Sequence, residues 1–152
     1  FTMIRKGRFP IVGSGDQRRS MVHVDNLVDG VLLALRVPDA AGEAFWIADA
    51  EPYPLRVIVE TVRQALRDEG YDVSPRTLRV PGFVAGAAER ADRTLQAHGI
   101  YQQQLHVLGE LDKTIACDIS YSTQVLGYTP AMALYEGMRQ SIRWCQAQGI
   151  VL

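Results

Sequence analysis

The apolar run Ala44–Ala48 constrains the fold of this 152-residue chain more than any other feature of its sequence. Polar residues, Glu43 and Asp49, bound the run on both sides. A short apolar run of this kind is typical of a β-strand that is buried on both faces. Such strands occur in parallel sheets that helices cover on both sides. The run therefore predicts an α/β fold in which Ala44–Ala48 is one strand of a parallel sheet.

Helical periodicity on both sides of this run fits the same class of fold. Asp25 is placed to cap the first helix, Gly70 to end the second, and Pro130 to start the last. Apolar residues recur at helical spacing in all three helices, which predicts that each buries one face. These residues are Leu27, Val28, Val31, Leu32 and Leu35; Leu55, Ile58, Val59, Val62, Ala65 and Leu66; and Leu134, Met138, Ile142 and Cys145.

Shorter elements are predicted between these helices. Thr2–Gly7 has the pattern of a helix end, the Ala-rich stretch Phe83–Leu95 that of a helix, and Gln102–Leu111 a weaker helical pattern. Ser120 is placed to cap a small helix that Gly127 ends. The predicted short strands are Phe9–Val12, Ser20–Val24, Leu78–Val80 and Thr114–Cys117.

Composition excludes several classes of function. The net charge of -1 offers no attraction to nucleic acid or to an anionic membrane, and no apolar run approaches the roughly 18 residues of a membrane span. Cys117 and Cys145 are too few for a disulfide framework, so we expect a reducing, cytoplasmic setting. His98 and His106 have no thiolate or carboxylate at metal spacing, so no metal site is expected. Both cysteines, Trp46 and Trp144 are interpreted as core residues.

Four segments, in order along the chain, resemble one enzyme family. Gly13–Gly30, GSGDQRRSMVHVDNLVDG, resembles the G-x-G…R-x-x-x-H-V-x-D/N-L-x-x-G/A segment of extended short-chain dehydrogenases, the NAD-dependent epimerase/dehydratase group. Phe45–Asp49 is similar to the family strand after the crossover helix, and Asp118–Pro130 to its D…LG-aromatic-x-P signature. Glu136–Trp144 resembles its closing helix. The chain is thus identified as resembling the C-terminal part of such an enzyme.

Two motifs of the family are not found in this sequence. Gly13 and Gly15 form only a G-x-G, with Arg18 where a third glycine would stand, so no strand–glycine loop–helix is present to cradle a pyrophosphate. The catalytic Tyr-x-x-x-Lys pair is missing as well, because Thr2 and Gly109 stand four residues before the two lysines. The resemblance therefore implies that NAD or NADP and all catalytic residues belong to an absent N-terminal part of the parent, and that this chain binds no cofactor.

The resemblance also implies which residues contact the substrate. In members that act on nucleotide sugars, the arginine four residues before the His-Val step contacts the diphosphate, and here that residue is Arg19. Arg18 is a second candidate, although both could be solvated turn charges. Further contacts are expected along Phe9–Val12 and near Val80. His23 is interpreted as a structural residue at a strand–helix junction.

These expectations describe an α/β, helix-rich substrate-binding lobe over residues 1–152, which includes the last Rossmann strand and its helices. The resemblance implies that the parent is an NAD(P)-dependent epimerase, dehydratase or reductase, hence an isomerase or oxidoreductase, which acts on a nucleotide sugar by transient hydride transfer. The isolated chain is expected to be inactive. Alternatives are a steroid- or isoprenoid-type alcohol dehydrogenase or isomerase and a non-catalytic binding module. The parent is expected to be a homodimer, and the isolated chain to expose an apolar patch that self-association would cover.

Overall fold

The computed structural model of the protein describes residues 1–101 and 110–152. In this part of the chain it contains six α-helices and four short strands. The helices are α1 (Thr2–Arg5), α2 (Val24–Arg36), α3 (Leu55–Asp68), α4 (Gly82–Ala97), α5 (Ser120–Leu126) and α6 (Leu134–Ala147), and a 3-10 turn spans Pro38–Ala40. The strands are β1 (Pro10–Val12), β2 (Arg18–Arg19), β3 (Tyr53–Pro54) and β4 (Leu78–Val80). The predicted class, a helix-rich α/β fold with short strands, is confirmed.

The strands form two small sheets. β1 pairs with β4 in parallel, with Val12 opposite Val80. β2 pairs with β3 in antiparallel orientation, with Arg19 opposite Tyr53. None of the described helices is long and apolar enough to span a membrane.

The first hydrophobic core lies between α3 and α6. The whole predicted face of α3 is buried, and Gly70 ends that helix with a left-handed φ of +87°. Ile142 of α6 is fully buried against it, and β1 contributes Ile11. Both helices were predicted from apolar spacing, and the burial of that face is the reason for their stability.

A second core joins α2, α5 and the segment 44–48. Its most deeply buried members are Tyr128, Ala48 and Leu126, and the Tyr128 hydroxyl donates a hydrogen bond to the Ala48 carbonyl at 3.1 Å. The Ser122 hydroxyl of α5 donates to the Trp46 carbonyl at 2.5 Å. These two side chains donate to backbone carbonyls of the segment 44–48 and thereby fix its position, as the backbone of a neighbouring strand would do in a sheet.

The predicted strand at Ala44–Ala48 does not form in the described structure. Among the described residues the segment carries no ladder of backbone hydrogen bonds. On its two sides, the Glu43 amide donates to the Ala40 carbonyl at 3.1 Å and the Asp49 amide to the Met21 carbonyl at 2.8 Å. The predictions of strands at Ser20–Val24 and Thr114–Cys117 are also wrong, since regular pairing is limited to β2 and a single bridge between Arg19 and Ile115. A strand requires a partner, and the described residues do not supply one for these segments.

The apolar stripe of α2 faces away from the protein, contrary to the prediction. Its residues are all exposed, up to 78% for Leu35, whereas the buried residues of the helix are Asn26 and Gly30 on another face. Trp46 and Trp144, predicted as core residues, are 68% and 59% exposed. Periodicity measures how apolar a helix face is, but it does not identify the body that covers the face.

Several helix ends also differ from the predictions. His23, not Asp25, caps α2, because its Nδ1 accepts a hydrogen bond from the Asp25 amide at 3.3 Å. The Asp118 carboxylate accepts the Ser120 amide at 2.7 Å, so Ser120 is the first residue of α5 and not its cap. The last helix begins at Leu134, after an extended stretch that follows Pro130. The weak helical pattern at Gln102–Leu111 falls mostly outside the described residues.

Candidate functional site

The strand β2 lies between two other segments, which fixes the positions of both candidate arginines. On one side it pairs with β3. On the other side the Ile115 amide donates to the Arg18 carbonyl at 2.9 Å, and the Ser20 amide donates to the Ile115 carbonyl at 3.2 Å. The Arg18 amide also donates to the Thr114 hydroxyl at 3.0 Å. The backbone of β2 is therefore held from both edges, and its side chains project from a fixed support.

The Arg19 guanidinium contacts the segment 110–113. It donates to the Glu110 carbonyl at 2.7 Å and to the Lys113 carbonyl. Next to it, the Gln17 amide group donates to the Leu111 carbonyl at 2.5 Å. No carboxylate of the described residues forms an ion pair with Arg19, so within this part of the chain its guanidinium is bonded only to neutral carbonyls. Such a guanidinium can bind an anion through paired, charge-assisted hydrogen bonds.

Arg18 contacts a different part of the protein. Its guanidinium donates to the Pro52 carbonyl at 3.1 Å, at the start of β3. Neighbouring residues of a strand project to opposite sides, which was the expectation for this pair. The guanidinium groups of Arg18 and Arg19 therefore contact different segments, and the structure does not bring them together at one site.

The three apolar site candidates occupy different environments. β1 and β4 place Val12 beside Val80, and the Gln17 amide group reaches the Val12 carbonyl at 3.3 Å. Gln17 thus connects this pair of strands to the segment that Arg19 contacts. Val12 is only 2% exposed and offers no side-chain surface to a ligand, whereas Val80 is half-buried. Phe9 packs partly against the first core.

A polar cluster of Asn26, Asp49 and Tyr53, which was not predicted from the sequence, lies next to the strand that carries Arg19. The Asn26 amide group donates to the Asp49 carboxylate at 3.4 Å and to the Met132 carbonyl at 2.8 Å, and its oxygen accepts the Met132 amide at 2.9 Å. Burial raises the pKa of Asp49, although hydrogen bonds from Tyr53 and Asn26 oppose this. Because Tyr53 pairs with Arg19 across β3 and β2, the cluster links α2 to the strand that carries the arginine. The only sequence signal for it was a carboxylate directly after an apolar run.

His23 has a structural role, as predicted. It caps α2, its side chain is mostly buried, and Gly137 of α6 packs against its ring. A side chain at Gly137 would bring a Cβ to within 3.0 Å of that ring. His23 therefore fixes the contact between the start of α2 and α6.

The glycine turn at Gly13–Gly15 does not fit a dinucleotide. It leads into β2 and not into a helix. Gly15 has a φ of +78°, and a Cβ there would lie 2.7 Å from the Ile11 side chain, so packing within the chain accounts for this glycine. The described residues also contain no group of three or more His, Cys, Asp and Glu side chains that could hold a metal ion. His98 only contacts the Thr94 carbonyl in its own helix, and His106 lies outside the described residues.

Comparison with known proteins gives a family and several relatives. A model of the NAD dependent epimerase/dehydratase family matches residues 2–48. The uncharacterized protein y4nL of Sinorhizobium fredii is 50% identical over 98% of this chain, which covers 42% of that protein. The UDP-glucose 4-epimerase of Vibrio cholerae is 26% identical over 91% of the chain and 38% of its own length. The 2-alkyl-3-oxoalkanoate reductase of Stenotrophomonas maltophilia is 27% identical over 90% of the chain and 42% of its length.

Solved structures share the fold. The UDP-glucose 4-epimerase of Thermotoga maritima, solved with UDP-glucose, aligns with a TM-score of 0.60 at 20% identity, over 96% of this chain and 37% of that structure. The chain spans less than half the length of each of these relatives.

Proposed function

We propose that the chain belongs to the NAD-dependent epimerase/dehydratase family, whose model matches residues 2–48, and that it is the substrate-side part of an NAD(P)-dependent epimerase, dehydratase or reductase. Its substrate is a nucleotide sugar, and Arg19 binds the diphosphate of that substrate. The observation that carries this proposal is the Arg19 guanidinium, which is fixed on β2 and whose charge no described carboxylate compensates.

A diphosphate is a better partner for Arg19 than the carbonyls that it contacts in the free chain. Hydrogen bonds between two charged groups are roughly twice as strong as those between neutral groups. A diphosphate would therefore replace the bonds from Arg19 to Glu110 and Lys113, while Gln17 keeps its bond to Leu111. Val80, half-buried and paired with Val12 on β1, supplies apolar surface for the rest of the ligand.

The nicotinamide cofactor, which supplies hydride transfer, is assigned to the rest of the enzyme. The turn at Gly13–Gly15 leads into β2 and not into a helix, so it does not offer a pyrophosphate the N-terminus of a helix. The chain alone then binds substrate but does not turn it over. Ala44–Ala48 is assigned as the last strand of the dinucleotide-binding sheet, together with α2 and α3.

The proposal predicts that UDP binds the chain and that Arg19→Ala weakens this binding. Loss of a charged hydrogen-bonding partner costs about 1.5–3 kcal/mol, which is roughly a 10- to 150-fold rise in Kd. Isothermal titration calorimetry with UDP measures the effect, and circular dichroism checks that the variant folds. Arg67→Ala removes the same charge from an ion pair with Glu60 on α3 and should leave the Kd within about twofold. Equal affinities of Arg19→Ala and the unchanged chain would refute the role of Arg19.

A second candidate function is supported by the reductase relative. The 2-alkyl-3-oxoalkanoate reductase is as similar to this chain as the UDP-glucose 4-epimerase is, and its name indicates a substrate without a nucleotide. In that case Arg19 only holds the segment 110–113. The same titration separates the two, because UDP would then not bind the unchanged chain.

A further inference from the structure

Asp49 is a buried carboxylate that directly follows the segment 44–48. The residue is 7% exposed, and its carboxylate accepts a hydrogen bond from the Asn26 amide group at 3.4 Å. Its backbone amide donates to the carbonyl of Met21, two residues after Arg19, at 2.8 Å. Asp49 is therefore bonded both to α2 and to the segment that continues β2.

Tyr53 connects the Asp49 carboxylate to Arg19. Burial raises the pKa of Tyr53, and the charge of Asp49 and its hydrogen bond to the hydroxyl raise this pKa further. Tyr53 also lies directly opposite Arg19 in the antiparallel pair of β2 and β3. Side chains of opposite residues project from the same face of such a pair, with Cβ atoms about 4.5–5.5 Å apart. The Tyr53 side chain is thus the cross-strand neighbour of Arg19, and Asp49 holds its hydroxyl end.

The charged form of Asp49 is costly for the folded protein. Burial raises the pKa of Asp49 above its ordinary value of 3.8, and the hydrogen bonds from Tyr53 and Asn26 and the nearby His23 offset this only in part. A carboxyl group whose pKa is raised by folding makes the folded protein more stable when it takes up a proton. A gain in stability therefore does not explain a carboxylate at this position.

The titratable groups that face Asp49 among the described residues are an imidazole and two phenols. His23 precedes α2, Tyr53 lies on β3, and Tyr128 follows α5, where burial and then the charge of Asp49 raise its pKa. Asp49 also lines a cavity of about 70 Å³, to which α6 contributes only side chains that do not titrate, those of Leu134, Met138 and Ser141, together with Gly137. Both tyrosines stay neutral at and below neutral pH, so only the titration of His23 has to be separated from that of Asp49 within this part of the chain.

We propose that Asp49 is a positioning residue for Arg19: its carboxylate fixes the Tyr53 side chain beside Arg19, and Arg19 binds an anion more weakly once Asp49 takes up a proton. The anion is the diphosphate of the proposed function, on which this inference rests. A protonated carboxyl group accepts hydrogen bonds about half as strongly as a carboxylate, so it holds the Tyr53 hydroxyl less firmly. Charge alone predicts the opposite, because the loss of a negative charge near Arg19 would favour an anion.

Isothermal titration calorimetry with UDP-glucose tests the effect of Asp49 on binding. Both phosphates of this probe are esterified, so its charge stays constant at mildly acidic pH, unlike that of a terminal phosphate. Asp49→Asn should raise the Kd about fivefold at neutral pH. The Kd of the unchanged chain should rise toward that of Asp49→Asn as the pH falls, whereas any effect of His23 is present in both proteins. Glu51→Gln removes the same charge two residues away at an exposed position and should leave the Kd within about twofold.

Tyr53→Phe separates positioning from charge. It removes the hydroxyl without changing any charge at neutral pH, and it should raise the Kd by about the same factor as Asp49→Asn. The double variant should bind no more weakly than either single variant, because both changes break the same connection to Arg19. Thermal unfolding at neutral pH should give Asp49→Asn a Tm no lower than that of the unchanged chain. A lower Tm would assign Asp49 a purely structural role and overturn the proposal.

A measurement without ligand tests the connection between Asp49 and Arg19 by itself. In an NMR titration, the Nε–H signal of Arg19 should follow the Asp49 carboxyl group, with a midpoint above pH 3.8, and this step should be absent from Asp49→Asn. An Arg19 signal that does not follow Asp49 would overturn the proposal, as would Asp49→Asn binding UDP-glucose as tightly as the unchanged chain does. Failure of the unchanged chain to bind UDP-glucose would contradict the proposed function, whereas the NMR titration would still decide whether Asp49 acts on Arg19.

Discussion

Glu69 joins α3 to α6 through two arginines. Its carboxylate accepts a hydrogen bond from Arg139 at 2.7 Å and another from Arg143 at 3.0 Å. These bonds lower the pKa of Glu69, Arg143 having the larger effect. The side chain of Gln146 binds the Glu69 carbonyl at 3.0 Å, so the end of α3 is held at three points along α6.

This arrangement predicts how stability depends on pH. A carboxylate whose pKa is lower in the folded protein contributes stability above its unfolded pKa, and this contribution is lost as pH falls through the folded pKa. Glu69→Gln should therefore lower Tm at neutral pH, and the difference from the unchanged chain should shrink as the solution is acidified below the ordinary pKa of 4.5. Thermal unfolding over a pH series measures it. A constant difference at all pH values would contradict this account.

Glu60→Gln is the matched control for that series. Glu60 also faces two arginines, Arg63 and Arg67, but its side chain is largely exposed. Exposed ion pairs contribute about 0–1 kcal/mol, so the control should change Tm little at any pH.

Single residues were predictable from sequence only where a short pattern determines their role. The prediction that Arg19 contacts the substrate came from its spacing from His23, and His23 has the structural role that was predicted. Asn26 and Tyr53 were not found, because their partners lie far away in sequence, such as Met132 for Asn26. A buried hydrogen-bond network is determined by the folded arrangement of several elements and leaves no local pattern.

At the scale of elements, α2 packs closely on the segment 44–48 because Gly30, at the contact, has no side chain. A Cβ at Gly30 would lie 2.8 to 3.0 Å from three atoms of the Ile47 side chain. Two of these atoms are attached to the Ile47 Cβ and cannot move far. The helix therefore approaches the segment as closely as a glycine allows.

Gly30→Ala should destabilise the protein, although alanine favours helices over glycine by about 1 kcal/mol. Overpacking costs about 1–3 kcal/mol, which exceeds that gain. Urea unfolding measures the free energy, and Ile47→Ala in the same chain should recover part of the loss as a coupling of about 0.5 kcal/mol or more. Gly86→Ala in α4 is the control, because a Cβ there meets nothing within 4 Å and should stabilise the protein. A stabilising Gly30→Ala would show that the two elements are not in close contact.

The elements also show the limit of sequence prediction. α3 was predicted correctly because its apolar face and its buried face are the same. α2 and Ala44–Ala48 have equally clear apolar patterns, but the predicted stripe of α2 and the Trp46 side chain are exposed among the described residues. An apolar pattern predicts that a helix face is apolar, but it does not determine whether another element packs on that face.

At the scale of the whole molecule, the described residues form two hydrophobic cores and leave the apolar stripe of α2 exposed. The core between α3 and α6 supports β1 and β4, and the second core supports α2 and the segment 44–48. The substrate candidate Arg19 lies on β2, which the polar cluster links to α2. The central proposal is that the Arg19 guanidinium binds the diphosphate of the substrate, whereas the turn at Gly13–Gly15 does not bind a dinucleotide.

Titration of the unchanged chain with UDP and, separately, with NAD tests that claim most directly. UDP should bind with a measurable enthalpy, and NAD should show no binding at the same concentrations, because the turn at Gly13–Gly15 leads into β2 and not into a helix that could hold a pyrophosphate. The opposite pattern, binding of NAD without binding of UDP, would contradict the assignment of this chain to the substrate side of the enzyme.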